Sequence, residues 1–223
     1  MSVRLFFRAI FKFLMGLVLV GLLLFLPAGT FAFRNAWILI GILFVPMFLA
    51  GLVMMAVNPG LLEKRLNAKE EEKEQKTVIA LSGIMFLAAF IAAGLNHRFG
   101  WLEMPGWMVV SGVVLFLLAY AMYAEVLREN TYLSRTIEVQ ENQKVVDTGL
   151  YGIVRHPMYS STLILFLSMG LVLSSPISFA ILLMYIPIIV KRILNEEKVL
   201  AEGLEGYSEY MKKVKYRLVP LIW

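Results

Sequence analysis

The sequence predicts an all-α, polytopic integral membrane protein, and three observations carry that prediction. Of its 223 residues 60% are hydrophobic, with a mean hydropathy of +0.76, more apolar surface than a water-soluble domain covers with polar atoms. The apolar residues fall in blocks long enough to cross a bilayer. The lysines and arginines are distributed very unevenly among the loops between those blocks.

Six apolar segments are expected. The first, about Ala9–Leu26, ends at Pro27 and Gly29, and the second, about Ala36–Val57, ends at Asn58-Pro59-Gly60. The third and fourth are about Thr77–Leu95 and Trp107–Leu127. The fifth and sixth, about Met158–Leu173 and Ile177–Leu194, form a hairpin around a tight turn at Ser174-Ser175-Pro176. They are short enough that the hairpin need not cross fully. A helix satisfies its own backbone polar groups, as hydrocarbon demands. The start MSVRLFFRAIFKF has the charged opening of a signal peptide. Its apolar run is long and lacks a small-residue cleavage site, so it reads as a retained first helix.

Of the 21 lysines and arginines, only Arg34 and Arg98 fall on one side of this layout. The rest sit at the N-terminus, in the loops after the second and fourth segments, and in the tail. That split places both termini in the cytoplasm and explains the net charge of +5 without nucleic acid. Trp37, Trp101 and Trp107 mark the outer interface. The chain has no cysteine and two histidines, His97 and His156, far apart, which excludes disulfides, thiolate chemistry and a histidine–cysteine metal cluster. Almost no charge lies within the helices, which disfavours a transporter. The run Glu63–Lys76 mixes both signs densely and reads as a solvated helical extension or loop. The chain is expected to form a single domain over 1–223.

Two charged groups flank the hairpin. Pro157 suits the first turn of the fifth helix and biases His156 to an extended conformation. The histidine therefore stands at a helix mouth, where free N–H groups and the dipole favour an anion. At the other end stands KRILNEEKVL, 191–200, with Arg192 and Glu196 on one helix face and Glu197 on the next. A hairpin brings its ends together, so Arg155-His156 and Arg192–Glu197 should be neighbours. Between the fourth helix and Pro157 the sequence carries a β-like run, Thr136–Gln140, and a turn at Asp147-Thr148-Gly149, where Gly149 suits a close backbone approach or a positive φ.

In order, GLY (149–151), RHPMY (155–159), RILNEE (192–197), GYSEY (206–210) and the closing YRLVPLIW resemble the isoprenylcysteine carboxyl methyltransferase family and its phospholipid N-methyltransferase relatives. The resemblance spans about Glu129–Trp223, making 129–223 the expected catalytic core and 1–128 the N-terminal membrane helices. LNHRFGW, 95–101, is similar to the prokaryotic branch. Two departures stand out. Ser161 replaces a frequent glycine, and Gly206 is followed directly by Tyr207 where many relatives have two residues between.

The resemblance implies S-adenosylmethionine as cofactor, contacted by Gln140, Lys144, Val145, Val146, Tyr151, His156, Pro157, Met158, Tyr159 and Glu196. It implies Arg192 as the substrate-binding residue, with Arg192 and Glu196 the catalytic pair and no metal. It further implies a multi-pass protein of a prokaryotic cytoplasmic membrane with its site facing the cytoplasm. The acceptor would be a lipophilic or lipidated molecule entering from the bilayer, a carboxylate by the family's name. An amine or thiol acceptor remains open, as do a non-catalytic scaffold keeping the pocket and a membrane reductase. The reductase is disfavoured by the short loops and the lack of a dinucleotide signature.

Overall fold

The computed structural model describes residues 3–66, 73–133 and 139–223. Among these, all regular structure is helical: α1 (Val3–Ala28), α2 (Arg34–Val57), α3 (Pro59–Leu66), α4 (Lys73–Phe99), α5 (Gly106–Glu129), a 3₁₀ turn (Gly149–Gly152), α6 (Pro157–Val172), α7 (Pro176–Leu182), α8 (Tyr185–Gly203) and α9 (Tyr207–Lys213). Five helical stretches are long and apolar enough to cross a membrane: α1, α2, α4, α5 and the combined α7–α8; α6 is a shorter apolar helix. The chain is a polytopic membrane protein.

Close packing holds the bundle. α5 and α6 form the most extensive pair and α1 packs along α4. Glycine permits both contacts. A Cβ on Gly112 would stand 2.7 Å from Leu171 Cβ, and one on Gly94 would stand 2.6 Å from the Leu24 carbonyl. Small residues let helix backbones approach where the lipid gives no hydrophobic drive for association. The shared core includes Leu24, Leu39, Phe116, Leu182, Ile189 and Ile193. Leu14, Leu22, Val45, Leu52, Val114 and Leu118 face outward, as a lipid-facing surface requires.

Prolines shape two helices. Pro46 lies inside α2, and one turn back the Leu43 carbonyl accepts from Tyr120 Oη at 2.7 Å. The Tyr120 hydroxyl, from α5, thus finds a backbone partner in the apolar zone. The sixth segment, expected as one helix over Ile177–Leu194, is instead α7 and α8 with a break at Leu183-Met184. Pro187, in the first turn of α8, accounts for it: its ring would clash with the carbonyl four residues earlier, at Leu183. The hairpin turn forms as expected. Ser174 adopts φ 52°, Ser175 Oγ accepts from the Ser178 N–H, and Pro176 opens α7.

The motif LNHRFGW closes the end of the bundle away from the basic loops. Asn96 donates to the Leu102 carbonyl at 2.6 Å and accepts from its N–H at 3.2 Å. His97 stacks on Phe33 with ring centres 4.2 Å apart. Both roles are structural. At the basic end, Leu5, Met55 and Leu62 cluster, and Lys12 Nζ donates to the Leu66 carbonyl at 2.5 Å, tying α1 to α3. Within Glu63–Lys76, residues 67–72 lie outside the described residues, as do 136–138 of the expected β-like run. Val139 and Gln140 adopt no regular structure.

Candidate functional site

The site is assembled where the two ends of the α6–α8 hairpin meet. Pro157 starts α6 and His156 is its N-cap residue. The chain's tail holds this entrance in place. The Arg155 N–H donates to the Tyr216 carbonyl and the His156 N–H to the Arg217 carbonyl, both at 2.9 Å. Ser160 Oγ donates to the Leu218 carbonyl at 2.5 Å.

Behind this entrance lies a buried charge cluster centred on Glu197. Arg155 Nε donates to Glu197 Oε1 at 2.6 Å and Arg217 Nε to Oε2 at 2.8 Å, while His156 Nε2 lies 3.3 Å from Oε1. Arg155 also donates to the Val214 and Lys215 carbonyls at 2.7 and 3.0 Å. Glu197, placed by the sequence on the helix face next to Arg192 and Glu196, is 6% exposed. It joins three elements: the segment before α6, α8 and the tail.

Glu196 and Arg192, one turn apart on α8, do not pair directly. Arg192 Nε donates to Tyr159 Oη at 2.8 Å, and Tyr159 Oη donates in turn to Glu196 Oε2. The other oxygen of Glu196 lies 3.9 Å from His156 Nδ1. Among the described residues, no lysine or arginine nitrogen lies within ion-pair reach of Glu196. The guanidinium of Arg192 also stands 5.7 Å from the centre of the Tyr159 ring. The hairpin thus brings the RHPMY and RILNEE motifs together as the sequence requires.

Residues from the α5–α6 connection cover the site, and their base is latched. The Leu150 N–H donates to Glu129 Oε2 at 3.1 Å and Asn130 Nδ2 to Tyr151 Oη at 2.9 Å. Gly149 has the expected positive φ, +50°, and a Cβ there would overlap Glu129 Oε1 at 1.4 Å. Leu204, Tyr207, Tyr210 and Val214 form a small separate core against Val139, Val145 and Leu200. Burial raises the phenol pKa of Tyr151, and that of Tyr210, whose hydroxyl donates to the Tyr151 carbonyl at 2.8 Å. Both hydroxyls stay neutral. Lys213 Nζ reaches Asp147 at 2.6 Å and holds its carboxyl below the usual range.

Between cover, hairpin and tail lies a cavity lined by Lys144, Val145, Val146, Tyr151, Arg155, His156, Met158, Tyr159, Arg192, Glu196, Tyr207 and Tyr210, among others. Residues 108–202, which carry most of this wall, match the model of the isoprenylcysteine carboxyl methyltransferase (ICMT) family. This stretch is similar to that family. A solved structure of the eukaryotic intramembrane Ras methyltransferase ICMT is similar over 92% of this chain and 74% of its own, with a TM-score of 0.56 and 20% identity. That likeness extends the shared fold beyond the matched core to the N-terminal helices. No curated protein matches at a significant level.

Of the residues that the ICMT resemblance singles out, Lys144, Val145, Val146, Tyr151, His156, Met158, Tyr159, Glu196 and Arg192 all line the cavity. Two do not. Gln140 Nε2 donates to the Tyr132 carbonyl, and Pro157 is fully buried as the first residue of α6. The helix mouth is also less open than the sequence suggests. The Tyr159 and Ser160 N–H groups both donate to the His156 carbonyl, at 3.0 and 3.1 Å, which leaves the Met158 N–H. Sequence reasoning does not reach Tyr207 and Tyr210 as wall residues. The only signal was the GYSEY motif itself, since their inward placement depends on Gly206, at φ +82°.

Proposed function

We propose that this protein transfers a methyl group from S-adenosylmethionine to the carboxylate of a lipophilic acceptor, at a site on the cytoplasmic side of the membrane. The observation that carries the reading is the relay Arg192–Tyr159–Glu196 on the cavity wall, built from the two motifs of the ICMT-type core. It presents a cationic and an anionic group side by side, one for each reactant.

The wall suits such a cofactor in its chemistry. Glu196 is a carboxylate without a lysine or arginine partner among the described residues, so it favours a cationic ligand. The Met158 N–H and Lys144 favour an anionic group. Tyr151 and Tyr159 offer aromatic faces. S-adenosylmethionine, when bound, supplies a methyl group already activated on sulfonium.

The remaining work is positioning and exclusion of water. Arg192 is placed to grip the acceptor carboxylate through its N–H donors. Tyr159 holds Arg192 in register with Glu196. A carboxylate acceptor is ionised already, so no base is needed. His156 is held by Glu197 and its ring stacks on Tyr159, with ring centres 5.7 Å apart, so it is a fixed element of the wall.

The test is calorimetric binding of S-adenosylmethionine to detergent-purified protein, beside Glu196→Ala and His156→Ala. Binding by the wild type that weakens at least about tenfold in both variants supports the reading. A folded wild type that binds nothing overturns it.

A further inference from the structure

Five tyrosines line the cavity, and four of their hydroxyls are engaged. Tyr132 donates to the Asn142 carbonyl, Tyr151 accepts from Asn130, Tyr159 links Arg192 to Glu196, and Tyr210 donates to the Tyr151 carbonyl. Tyr207 is the exception. It is 4% exposed, and its buried hydroxyl has no hydrogen-bond partner among the described residues. Buried polar groups are almost always paired, and one left without a partner at a cavity wall calls for a ligand.

The neighbours indicate which part of a ligand. Burial, then the carboxylates of Glu197 and Glu196, raise the phenol pKa of Tyr207, so the hydroxyl stays neutral in a negative field. The two carboxylates are not equivalent. Both oxygens of Glu197 are taken by Arg155, His156 and Arg217. Glu196 has spent one oxygen on the Tyr159 hydroxyl, and its other oxygen is 3.9 Å from His156 Nδ1. The unmet demand on this wall is therefore one cation with several N–H donors, which describes a primary ammonium better than a sulfonium, which has none.

We propose that the Tyr207 hydroxyl and the Glu196 carboxylate together hold the α-ammonium group of the cofactor's amino-acid arm. This rests on the S-adenosylmethionine reading above and assigns one end of that molecule. It gives the tail a part in cofactor recognition, through a residue outside 108–202, the stretch that matches the family.

The experiment compares three ligands by calorimetry on wild type and Tyr207→Phe in detergent. They are S-adenosylhomocysteine, its deaminated analogue and its decarboxylated analogue. Using the homocysteine product removes the sulfonium charge from the comparison. Tyr207→Phe is expected to weaken S-adenosylhomocysteine and the decarboxylated analogue about tenfold, the worth of one hydrogen bond to a charged group. Affinity for the deaminated analogue should be unchanged within about twofold. An equal loss for all three ligands would make Tyr207 a packing residue and overturn the proposal. So would a loss that disappears with the decarboxylated analogue, or no loss at all. Failure of the wild type to bind any of the three overturns the cofactor reading itself, a result distinct from a wild type that binds while the variant behaves identically.

Discussion

Arg155 donates to Glu197 across 2.6 Å, 42 residues apart in sequence, and both side chains are buried. This contact fixes the start of α6 against α8, and with Arg217 it fixes the tail against both. The site residues His156, Tyr159, Arg192 and Glu196 are carried on the elements so joined. Removing one partner of a buried pair leaves the other charge uncompensated, at about 3–5 kcal/mol. Glu197→Gln should therefore lower the melting temperature in detergent and weaken cofactor binding in parallel. Replacing both partners, as in Arg155→Met with Glu197→Leu, should destabilise less than the two single changes added together. A Glu197→Gln protein that melts with the wild type would show that the cluster does not hold the site.

Gly149 and Glu129 make the second joint, beneath the cover of the cavity. A Cβ at position 149 would sit 1.4 Å from Glu129 Oε1 on a backbone at φ +50°. Gly149→Ala has two faults: a left-handed backbone angle and displacement of the carboxylate from the Leu150 N–H. Together they should cost about 1–3 kcal/mol. Adding Glu129→Ala should relieve the clash but not the backbone strain, so the double variant should recover cofactor affinity only in part. Full recovery would place the whole effect in the clash.

The pair Asp147–Lys213 is exposed, and its behaviour with pH follows from its sign. Lys213 lowers the folded-state pKa of Asp147 below its ordinary value. The pair's contribution is then present above the ordinary carboxylate pKa of about 4 and is lost only as pH falls through the lowered value. Hydrogen exchange of residues 139–148 should thus show no change in opening attributable to this pair between about pH 6 and pH 8. Added salt should increase opening, and Asp147→Asn should abolish that salt effect. A salt response that persists in the variant would move the latch elsewhere.

The legibility of this molecule divides along a physical line. Features set by neighbours in sequence could be read directly. Pro157 opens α6, Ser174-Ser175-Pro176 makes the tight turn before α7, and Gly149 takes a positive φ, each through a local steric or hydrogen-bonding rule. The meeting of RHPMY and RILNEE was also legible, because a hairpin returns the chain to its start. The break before α8 was hidden by continuous hydrophobicity, although Pro187 encodes it. The burial of Glu197 was not legible: the helix pattern turns it away from Arg192 and Glu196, and the groups that enclose it come from before α6 and from the tail. Tyr207 is hidden for the same reason. Its place on the wall depends on how residues 204–218 fold back over the hairpin, a tertiary matter on which the spacing of GYSEY is silent.

Arg192, Tyr159 and Glu196 should separate in kinetics if their roles are distinct. Arg192→Ala removes the group placed for the acceptor, while cofactor affinity should change little, because Glu196 keeps the Tyr159 hydroxyl. With an isoprenylated cysteine carboxylate as probe, kcat/KM should fall at least about a hundredfold, the scale for truncating one side of a charged contact. Arg192→Lys should recover only part of this, since an ammonium cannot reproduce the two-pronged grip. Tyr159→Phe keeps both charges but cuts the hydroxyl between them, so Arg192 loses its alignment. Its kcat/KM should drop about tenfold, and it should also lose cofactor affinity because Glu196 is no longer held. An Arg192→Ala protein with undiminished turnover would remove Arg192 from the acceptor site. A Tyr159→Phe protein that loses acceptor turnover but binds cofactor normally would mean that the hydroxyl serves Arg192 alone.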